Sequence, residues 1–233
     1  MMKIITIIKN LINRIFFIFG YRVSKVNKSG ELMKIYEYSN YEDYKNTQVF
    51  FNKKKIEKVW ADEKTLKMLS EYIKKNIKSL KLKGLCHGSR NGFEQKCFLK
   101  EIPNLEIIGT DISETALNFE NSIVHDFHDI KQEWIDYFDF VYSNSLDQSY
   151  NPKKALQVWL DQIKKDGFVI IEHSDQHGVA ASGRMDPFGV ETNFFPYVLS
   201  QWFGHKISIN IINDIKQNKN NAPMCFFIIK KNY

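Results

Sequence analysis

Short apolar runs alternate with amphipathic segments through the middle of the chain. The runs fall at residues 82–86, 105–110, 122–124, 138–142 and 168–171. Most are separated by helix-like segments, as at Phe93, Cys97 and Phe98, where apolar residues recur at helical spacing. Because short buried strands that alternate with helices form parallel β-α-β units, this pattern predicts an α/β fold with helices on both faces of a sheet.

For two predicted helices, residues at the ends support the assignment in addition to the helical spacing of apolar residues. One is predicted to begin at Asp62, because apolar residues at helical spacing follow it. These residues are Leu66, Leu69, Ile73 and Ile77. A second helix is predicted over residues 153–165, where Pro152 suits the first turn and Gly167 the end. Residues 21–60 mix tyrosine, lysine and asparagine without a clean period.

The C-terminal part of the chain breaks the alternation. HKISINIIND (205–214) and MCFFIIKK (224–231) read as two strands joined by the polar segment KQNKNNAP. Since this connection is too short for a parallel crossover, the two strands are predicted to form an antiparallel hairpin at the sheet edge. Together with the five apolar runs, they predict a Rossmann-like, mainly parallel seven-stranded sheet.

The first twenty residues, MMKIITIIKNLINRIFFIFG, are apolar but are interrupted by Lys3, Lys9 and Arg14. Their spacing predicts an amphipathic helix and not a membrane span or a signal peptide. Such a helix lies on an anionic membrane surface or docks on protein, and both alternatives stay open. We therefore expect residues 1–35 to be a helix with a linker, and residues 36–233 to be the main domain, with a ligand-binding core at about 80–233.

Composition narrows the function classes. With 233 residues and 43% hydrophobic content, the chain can bury one sizeable core. A net charge of +6 is compatible with nucleic-acid binding. The sequence has no basic stripe interleaved with aromatic residues, so no nucleic-acid partner is predicted. Cys86, Cys97 and Cys225 are too few and too scattered for a disulfide framework or a CxxC metal site, which favours a cytoplasmic location.

The segment GLCHGSRNGFE (84–94) follows the first predicted strand of the core and leads into a helix. In an open parallel sheet, this is where a glycine turn and a helix N-terminus approach a ligand. Gly88 and Gly92 allow positive φ or a close backbone approach. A dinucleotide fingerprint starting at Gly88 also needs glycine at the positions of Arg90 and Phe93, so NAD is disfavoured. A structural turn without a ligand is the alternative.

Carboxylates follow the next two strands. Asp111 ends LEIIGTD at about the spacing expected for a residue that hydrogen-bonds ribose hydroxyls. Its alternative role is to cap the next helix. In HDFHD, Asp126 and Phe127 suit the exocyclic amine and the ring of an adenine. A metal site in HDFHD is the other alternative, although the ligand spacing is not an established one.

The order of these features resembles the class I S-adenosylmethionine-dependent methyltransferases. That order is a strand, a GxxxG turn, a helix, a strand ending in Asp111, the pair Asp126-Phe127 and a closing antiparallel pair, over about residues 80–233. The segments NGFEQKCF, YSNSLDQSYNPKKAL and DGFVIIEHS further resemble bacterial methyltransferases found among surface-polysaccharide genes. The resemblance implies the Rossmann-like class I methyltransferase fold and S-adenosylmethionine as the cofactor.

By this resemblance, Gly88 and Gly92 cradle the methionyl part of the cofactor, Asp111 holds the ribose, and Asp126 with Phe127 holds the adenine. The further implied cofactor contacts are His87, Arg90, Ile112 and Asn144.

Two positions depart from the family pattern. Cys86 stands at the usual acidic residue of the first strand, and Arg90 stands at the middle glycine of the loop. Arg90 either meets the carboxylate of the cofactor or points to solvent.

A methyl sulfonium is already an activated donor, so the enzyme mainly aligns the acceptor and helps to remove its proton. His173 is the predicted base, Asp147 is its partner or an alternative base, and His177 is a substrate contact. Each has a structural alternative, since a histidine that ends a strand is often only hydrogen-bonded and Asp147 can cap a turn. A divalent ion that orients a diol is a further alternative at the two histidines, but no metal is predicted.

The polar loop at residues 174–192 is predicted to shape the acceptor pocket, with Gln148 and Arg184 as substrate contacts. The sequence thus predicts a cytoplasmic O-methyltransferase for a sugar hydroxyl of a surface-polysaccharide precursor. Alternative acceptors are a small acid, an amine or a lipid headgroup, and the alternative class is a non-catalytic binding domain with the same fold. Peripheral membrane contact through the N-terminal helix and homo-oligomer formation are left open.

Overall fold

A seven-stranded sheet runs through the centre of this computed structural model, which describes residues 30–217 and 223–233. The strands in chain order are β1 (Met33–Ile35), β2 (Lys83–His87), β3 (Glu106–Asp111), β4 (Ser122–Val124), β5 (Phe138–Ser143), β6 (Ile163–His173), β7 (Phe188–Val190), β8 (Ile207–Lys216) and β9 (Pro223–Lys231). The spatial order in the large sheet is β4-β3-β2-β5-β6-β9-β8, and β1 pairs with β7 in a separate small sheet. The predicted amphipathic helix at the N-terminus lies outside the described residues.

The direction of the strands matches the sequence prediction. The five strands from β2 to β6 that belong to the large sheet pair in parallel. β9 runs antiparallel to β6 and β8, so the C-terminal hairpin closes one edge as predicted. Parallel strands bring their carboxyl ends to one edge of the sheet, which is where ligands bind in open α/β folds.

Helices cover both faces of the large sheet. The helices in chain order are α1 (Tyr41–Lys54), α2 (Glu63–Asn76), α3 (Phe93–Glu101), α4 (Pro152–Gln162) and α5 (Phe195–Phe203), of which α2 to α5 pack on the sheet. Side chains that alternate along β5 separate two hydrophobic clusters. Val141 packs in the cluster that contains α4 and α5, whereas Phe140 and Tyr142 pack in the one that contains α2 and α3. This two-sided burial explains the continuous apolar runs in the sequence.

The second predicted helix is wrong at its C-terminal end. It stops at Gln162, and β6 begins at the next residue. Ile163 is fully buried and pairs with Phe138, so its burial in the sheet overrides a further helical turn. Gly167 lies within β6, where a Cβ atom would come 2.7 Å from the carbonyl oxygen of Asp139.

Within the described ranges, none of the helices has the length and apolar character that crossing a bilayer requires. Cys86, Cys97 and Cys225 are buried free thiols.

Candidate functional site

Left-handed backbone conformations shape the turn between β2 and α3. Gly88 and Gly92 have φ angles of 69° and 73°, and Arg90 has a φ of 46°. A Cβ atom at Gly88 would lie 2.5 Å from Cβ of Ser145. Glycine at residue 88 is therefore needed for both the backbone conformation and the close approach. Arg90 adopts a conformation that costs a residue with a side chain about 1–2 kcal/mol.

Asp111 ends β3 and holds this turn. Its Oδ2 accepts a hydrogen bond from the backbone N–H of Arg90 at 3.2 Å, and its Oδ1 accepts one from the N–H of Ser113 at 2.9 Å. Burial raises the pKa of Asp111, and these hydrogen bonds act in the opposite direction. The cap of the next helical turn is Ser113, whose side chain accepts from the N–H of Thr115. Asp111 is thus not the helix cap, and it lines a crevice beside the turn.

Asp126 follows β4, and neighbouring residues fix its carboxylate. Its Oδ1 accepts from the backbone N–H and from Nδ1 of His128 at 2.9 and 2.6 Å, and its Oδ2 accepts from the hydroxyl of Tyr41 at 2.8 Å. Burial alone would raise the pKa of Asp126, but the interactions with His128 and Tyr41 outweigh it and lower the pKa to about 2. Asp126 is therefore a carboxylate at any pH near neutrality.

His128 uses both ring nitrogens within the protein. Nδ1 binds Asp126, and Nε2 shares a hydrogen bond of 2.6 Å with Oγ of Ser149. In residues 30–217 and 223–233, no three His, Cys, Asp or Glu side chains are grouped so that they could hold a metal ion.

Asp111 and Asp126 line the same narrow crevice, whose volume is about 20 Å³. Gly88, Ile112 and Phe127 also line it, so the structure brings together five of the predicted cofactor contacts. Residues of α1 and of the segment after β5 form its other wall. These residues are Tyr44, Gln48, Asn52 and Gln148.

A larger cavity of about 350 Å³ adjoins the crevice, and Gly88 and Gln148 line both. Several predicted site residues line this cavity, namely Arg90, Asn144, Asp147, Gln148 and His177. Residues that the sequence analysis did not select complete the wall, namely Lys55, Lys58, Val59, Trp60, Ser89, Asn91, Glu94, Ser145, Gln176, Met185 and Asp186.

Two carboxyl groups in the larger cavity have raised pKa values. Burial raises the pKa of Asp147 to about 7, while the nearby charge of Lys55 acts in the opposite direction. Burial and the negative charge of Asp147 raise the pKa of Asp186 to about 6. Burial in turn lowers the pKa of Lys55. The cavity therefore contains acids that gain and lose protons near neutral pH.

Two polar atoms in the cavity wall lack partners within the described part of the protein. They are Oδ1 of Asp147 and Nε1 of Trp60, and both are buried. A buried polar atom without a hydrogen bond costs about 1–3 kcal/mol. Because one atom accepts and the other donates, a molecule that carries both a donor and an acceptor would satisfy the pair.

The architecture matches solved methyltransferases at low sequence identity. The Burkholderia thailandensis 1,6-didemethyltoxoflavin-N1-methyltransferase with bound 1,6-didemethyltoxoflavin and S-adenosylhomocysteine is 12% identical, with a TM-score of 0.62 over 89% of this chain and 98% of that chain. The plantazolicin methyltransferase BpumL in complex with a triazolic desmethylPZN analog and SAH is 14% identical, with a TM-score of 0.62 over 82% and 96%. No protein-family model and no curated protein matches the sequence.

The chain has the class I methyltransferase fold. It also matches the citrinin polyketide synthase CMeT domain at 11% identity and a TM-score of 0.55, over 72% of this chain and 52% of that one. It spans a similar share, 54%, of the CurJ carbon methyltransferase. The chain thus spans about half the length of these two matched chains.

Within this methyltransferase fold, the predicted base His173 lies outside the cavity wall. Its Nε2 hydrogen-bonds the carbonyl of Val190 at 3.2 Å, and its ring packs against Phe195 and Phe227. Burial lowers the pKa of His173 well below its ordinary value. His173 is thus a neutral ring in an aromatic cluster, and it is not among the predicted site residues that the structure brings together at the cavity.

His87 and Arg184 are also directed away from both cavities. The His87 ring stacks on Trp159 and hydrogen-bonds Thr110 and Gln162, each at 2.8 Å. Its backbone ends β2 next to the glycine turn, but its side chain belongs to the core. The Arg184 guanidinium donates to Asp43 on α1 and is not part of the wall of the larger cavity.

The site residues absent from the sequence analysis fall into three groups. Lys55 and Trp60 lie within residues 21–60, which have no clean period, so nothing local indicated their orientation. Asp186 lies in the loop at residues 174–192, which was predicted to shape the acceptor pocket, although Asp186 itself was not selected. Glu94 sits in the first turn of α3, where its Oε1 accepts from Nδ2 of Asn144 at 3.1 Å. An acidic residue at a helix N-terminus directly after a glycine turn was a signal that could have identified Glu94.

Proposed function

We propose that this protein is an S-adenosylmethionine-dependent methyltransferase that acts on a small polar acceptor. One observation carries the proposal. The crevice that contains Asp111 and Asp126 and the larger cavity share Gly88 and Gln148 in their walls. This arrangement supports a nucleoside site in the crevice and an acceptor site in the larger cavity.

The residues around the crevice fit the cofactor. The carboxylate of Asp111 suits the ribose hydroxyls, and Asp126 with Phe127 suits the adenine amine and ring. The turn at Gly88 gives the backbone a close approach to the methionyl part. When bound, the cofactor supplies a methyl group on a sulfonium, which needs no further activation.

In the larger cavity, we assign Asp147 as the general base that removes the proton of the acceptor. Its unpartnered Oδ1 is able to accept a hydrogen bond from an acceptor O–H or N–H, and its pKa of about 7 matches a base that works near neutral pH. The bound cofactor would supply the methyl group and would leave as the neutral thioether, and the Asp147 carboxylate would take the proton that the acceptor atom loses. Asp186 and the indole of Trp60 lie in the same wall and orient the acceptor.

For the acceptor, we propose a hydroxyl compound such as a sugar of a surface-polysaccharide precursor. The support is the sequence resemblance described above and a polar wall that offers a hydroxyl both a proton acceptor and a donor. The toxoflavin enzyme named above is an N1-methyltransferase, which supports an amine or ring nitrogen as the second candidate.

The first test of the proposal is calorimetric titration with S-adenosylhomocysteine. We expect micromolar binding by the unmodified protein, loss of binding in Asp111→Ala, and no change in Asp166→Ala, since Asp166 is an exposed carboxylate. The second test is methyl transfer from labelled cofactor to a panel of sugar precursors and amines. Binding without transfer to any acceptor would indicate a non-catalytic binding domain.

A further inference from the structure

Helix α1 covers the nucleoside crevice with a polar face. The residues that it buries are Tyr44, Thr47, Gln48 and Asn52. Three of them line the crevice, which leaves a volume of only about 20 Å³. A space of that size holds about one water molecule and not an adenosyl group.

The same helix contacts both carboxylates of the crevice. The hydroxyl of Tyr41 donates to Oδ2 of Asp126 at 2.8 Å. Asn52 lines the crevice together with Asp111 and acts to lower the pKa of that carboxyl group, and its Oδ1 accepts from the hydroxyl of Thr115 at 2.8 Å. Under the proposed function, Asp126 is the partner of the adenine amine and Asp111 is the partner of the ribose hydroxyls. Tyr41 and Asn52 therefore contact the groups that a bound nucleoside would use.

We propose that α1 is a lid whose closed state is stabilised by these contacts and which must move before a nucleoside binds. Tyr41 takes the place of the adenine amine, and Asn52 takes the place of the ribose hydroxyls. This inference rests on the proposed function, because that function assigns Asp111 and Asp126 to the cofactor.

The lid is also connected to the acceptor cavity. Nε2 of Gln48 donates to the carbonyl of Met185 at 3.1 Å, and Asp43 accepts from the guanidinium of Arg184. Met185 and the adjacent Asp186 line the larger cavity. A shift of α1 therefore displaces the segment that carries Asp186, so cofactor binding and the shape of the acceptor cavity are coupled.

Stopped-flow mixing with S-adenosylhomocysteine tests the lid, with tryptophan fluorescence as the signal because Trp60 lies in the cavity wall. If α1 must open first, the observed rate levels off at high ligand concentration, at the opening rate. Tyr41→Phe removes one hydrogen bond to a carboxylate from the closed state only. We expect this variant to raise the plateau rate and the equilibrium affinity by about three- to tenfold.

Tyr197→Phe is the matched control, because Tyr197 is 55% exposed on α5 and does not line the crevice. We expect it to behave like the unmodified protein. A rate that rises linearly with ligand concentration, together with equal affinities for Tyr41→Phe and the unmodified protein, would overturn the lid and leave the proposed function intact. If neither protein binds the ligand, the proposed function fails, and the lid fails with it.

Discussion

Nε2 of His177 lies 3.9 Å from Oδ2 of Asp147. Nδ1 of His177 accepts the backbone N–H of Ser174, so the neutral ring carries its proton on Nε2 and presents an N–H toward the carboxyl group. Burial lowers the pKa of His177 to about 4 and raises that of Asp147 to about 7. At neutral pH, Asp147 is therefore the member of the pair that exchanges protons, and His177 is a fixed donor.

We expect the rate of methyl transfer to rise with pH and to level off above about 7, because Asp147 accepts a proton only when it is ionised. Asp147→Asn should lower kcat by about 10²–10⁴-fold, the range typical of a lost general base. Initial rates across the neutral range measure both effects, with Asp166→Asn as the control. A rise near neutrality that persists in Asp147→Asn would assign the proton to another group of the same wall, such as Asp186.

The same carboxyl group is expected to reduce stability at high pH. The pKa of Asp147 is about 7 when folded against an ordinary value of 3.8, so the folded state favours the protonated acid. The stabilisation is complete below the ordinary pKa and is lost as pH rises through the folded value. Asp147→Asn should thus increase the free energy of unfolding by about 2–4 kcal/mol near pH 8 and by little near pH 4.

Urea denaturation at the two pH values measures this difference, with Asp166→Asn as the control for a lost exposed charge. An equal gain in stability at both pH values would show that the pKa of Asp147 is not raised by folding.

Arg90 offers a test of the backbone of the glycine turn. Its φ of 46° is a left-handed conformation, which glycine adopts without a Cβ penalty. Arg90→Gly and Arg90→Ala both remove the guanidinium contact to the carbonyl of Lys58, so the comparison isolates the backbone. We expect the glycine variant to be more stable than the alanine variant by about 1 kcal/mol in thermal or urea unfolding. An alanine variant of equal or higher stability would contradict the turn conformation.

His128 is expected to position Asp126 for the nucleoside. His128→Leu removes the ring donor that holds Oδ1 of Asp126 and lowers its pKa, and it keeps the backbone N–H of residue 128. His128→Asn keeps, in addition, a short side chain with an N–H donor. We expect S-adenosylhomocysteine to bind the leucine variant about tenfold more weakly, with partial recovery in the asparagine variant. Calorimetry measures the affinities, and near-ultraviolet circular dichroism checks that both variants are folded. Equal losses in the two variants would indicate a packing role only.

The part of the candidate site that directly follows the parallel strands could be predicted from the sequence. The glycine turn and Asp111 follow two adjacent parallel strands, and Asp126 follows the third, so their meeting at one edge was implied by the alternation of elements. Asp62 was predicted as a helix start, and its side chain accepts from the N–H of Lys64 as a cap. These features depend only on residues that are close in sequence, so a local sequence pattern is enough to predict them.

Helix α1 was missed for an opposite reason. Tyr44, Thr47, Gln48 and Asn52 are buried, and all four are polar or amphipathic, so the helix has no apolar stripe. They are buried against the crevice and the segment around Met185, contacts that exist only after the chain has folded. A helix that packs through polar groups does not produce the hydrophobic period on which the prediction relied.

The sequence by itself determined the order along the chain of the seven strands of the large sheet, the antiparallel hairpin and the edge where the candidate site residues collect, because burial on two faces of a sheet imposes a local period. Only the tertiary structure decided which polar groups face the cavity. His87 and Gly88 are adjacent in sequence, yet the His87 side chain enters the core while Gly88 lines both cavities. Asp147 and Asp186 are distant in sequence, yet they share one wall, where burial raises the pKa of both. The direction and the protonation state of a side chain depend on the residues that pack around it, and a pattern along the sequence does not show which residues these are.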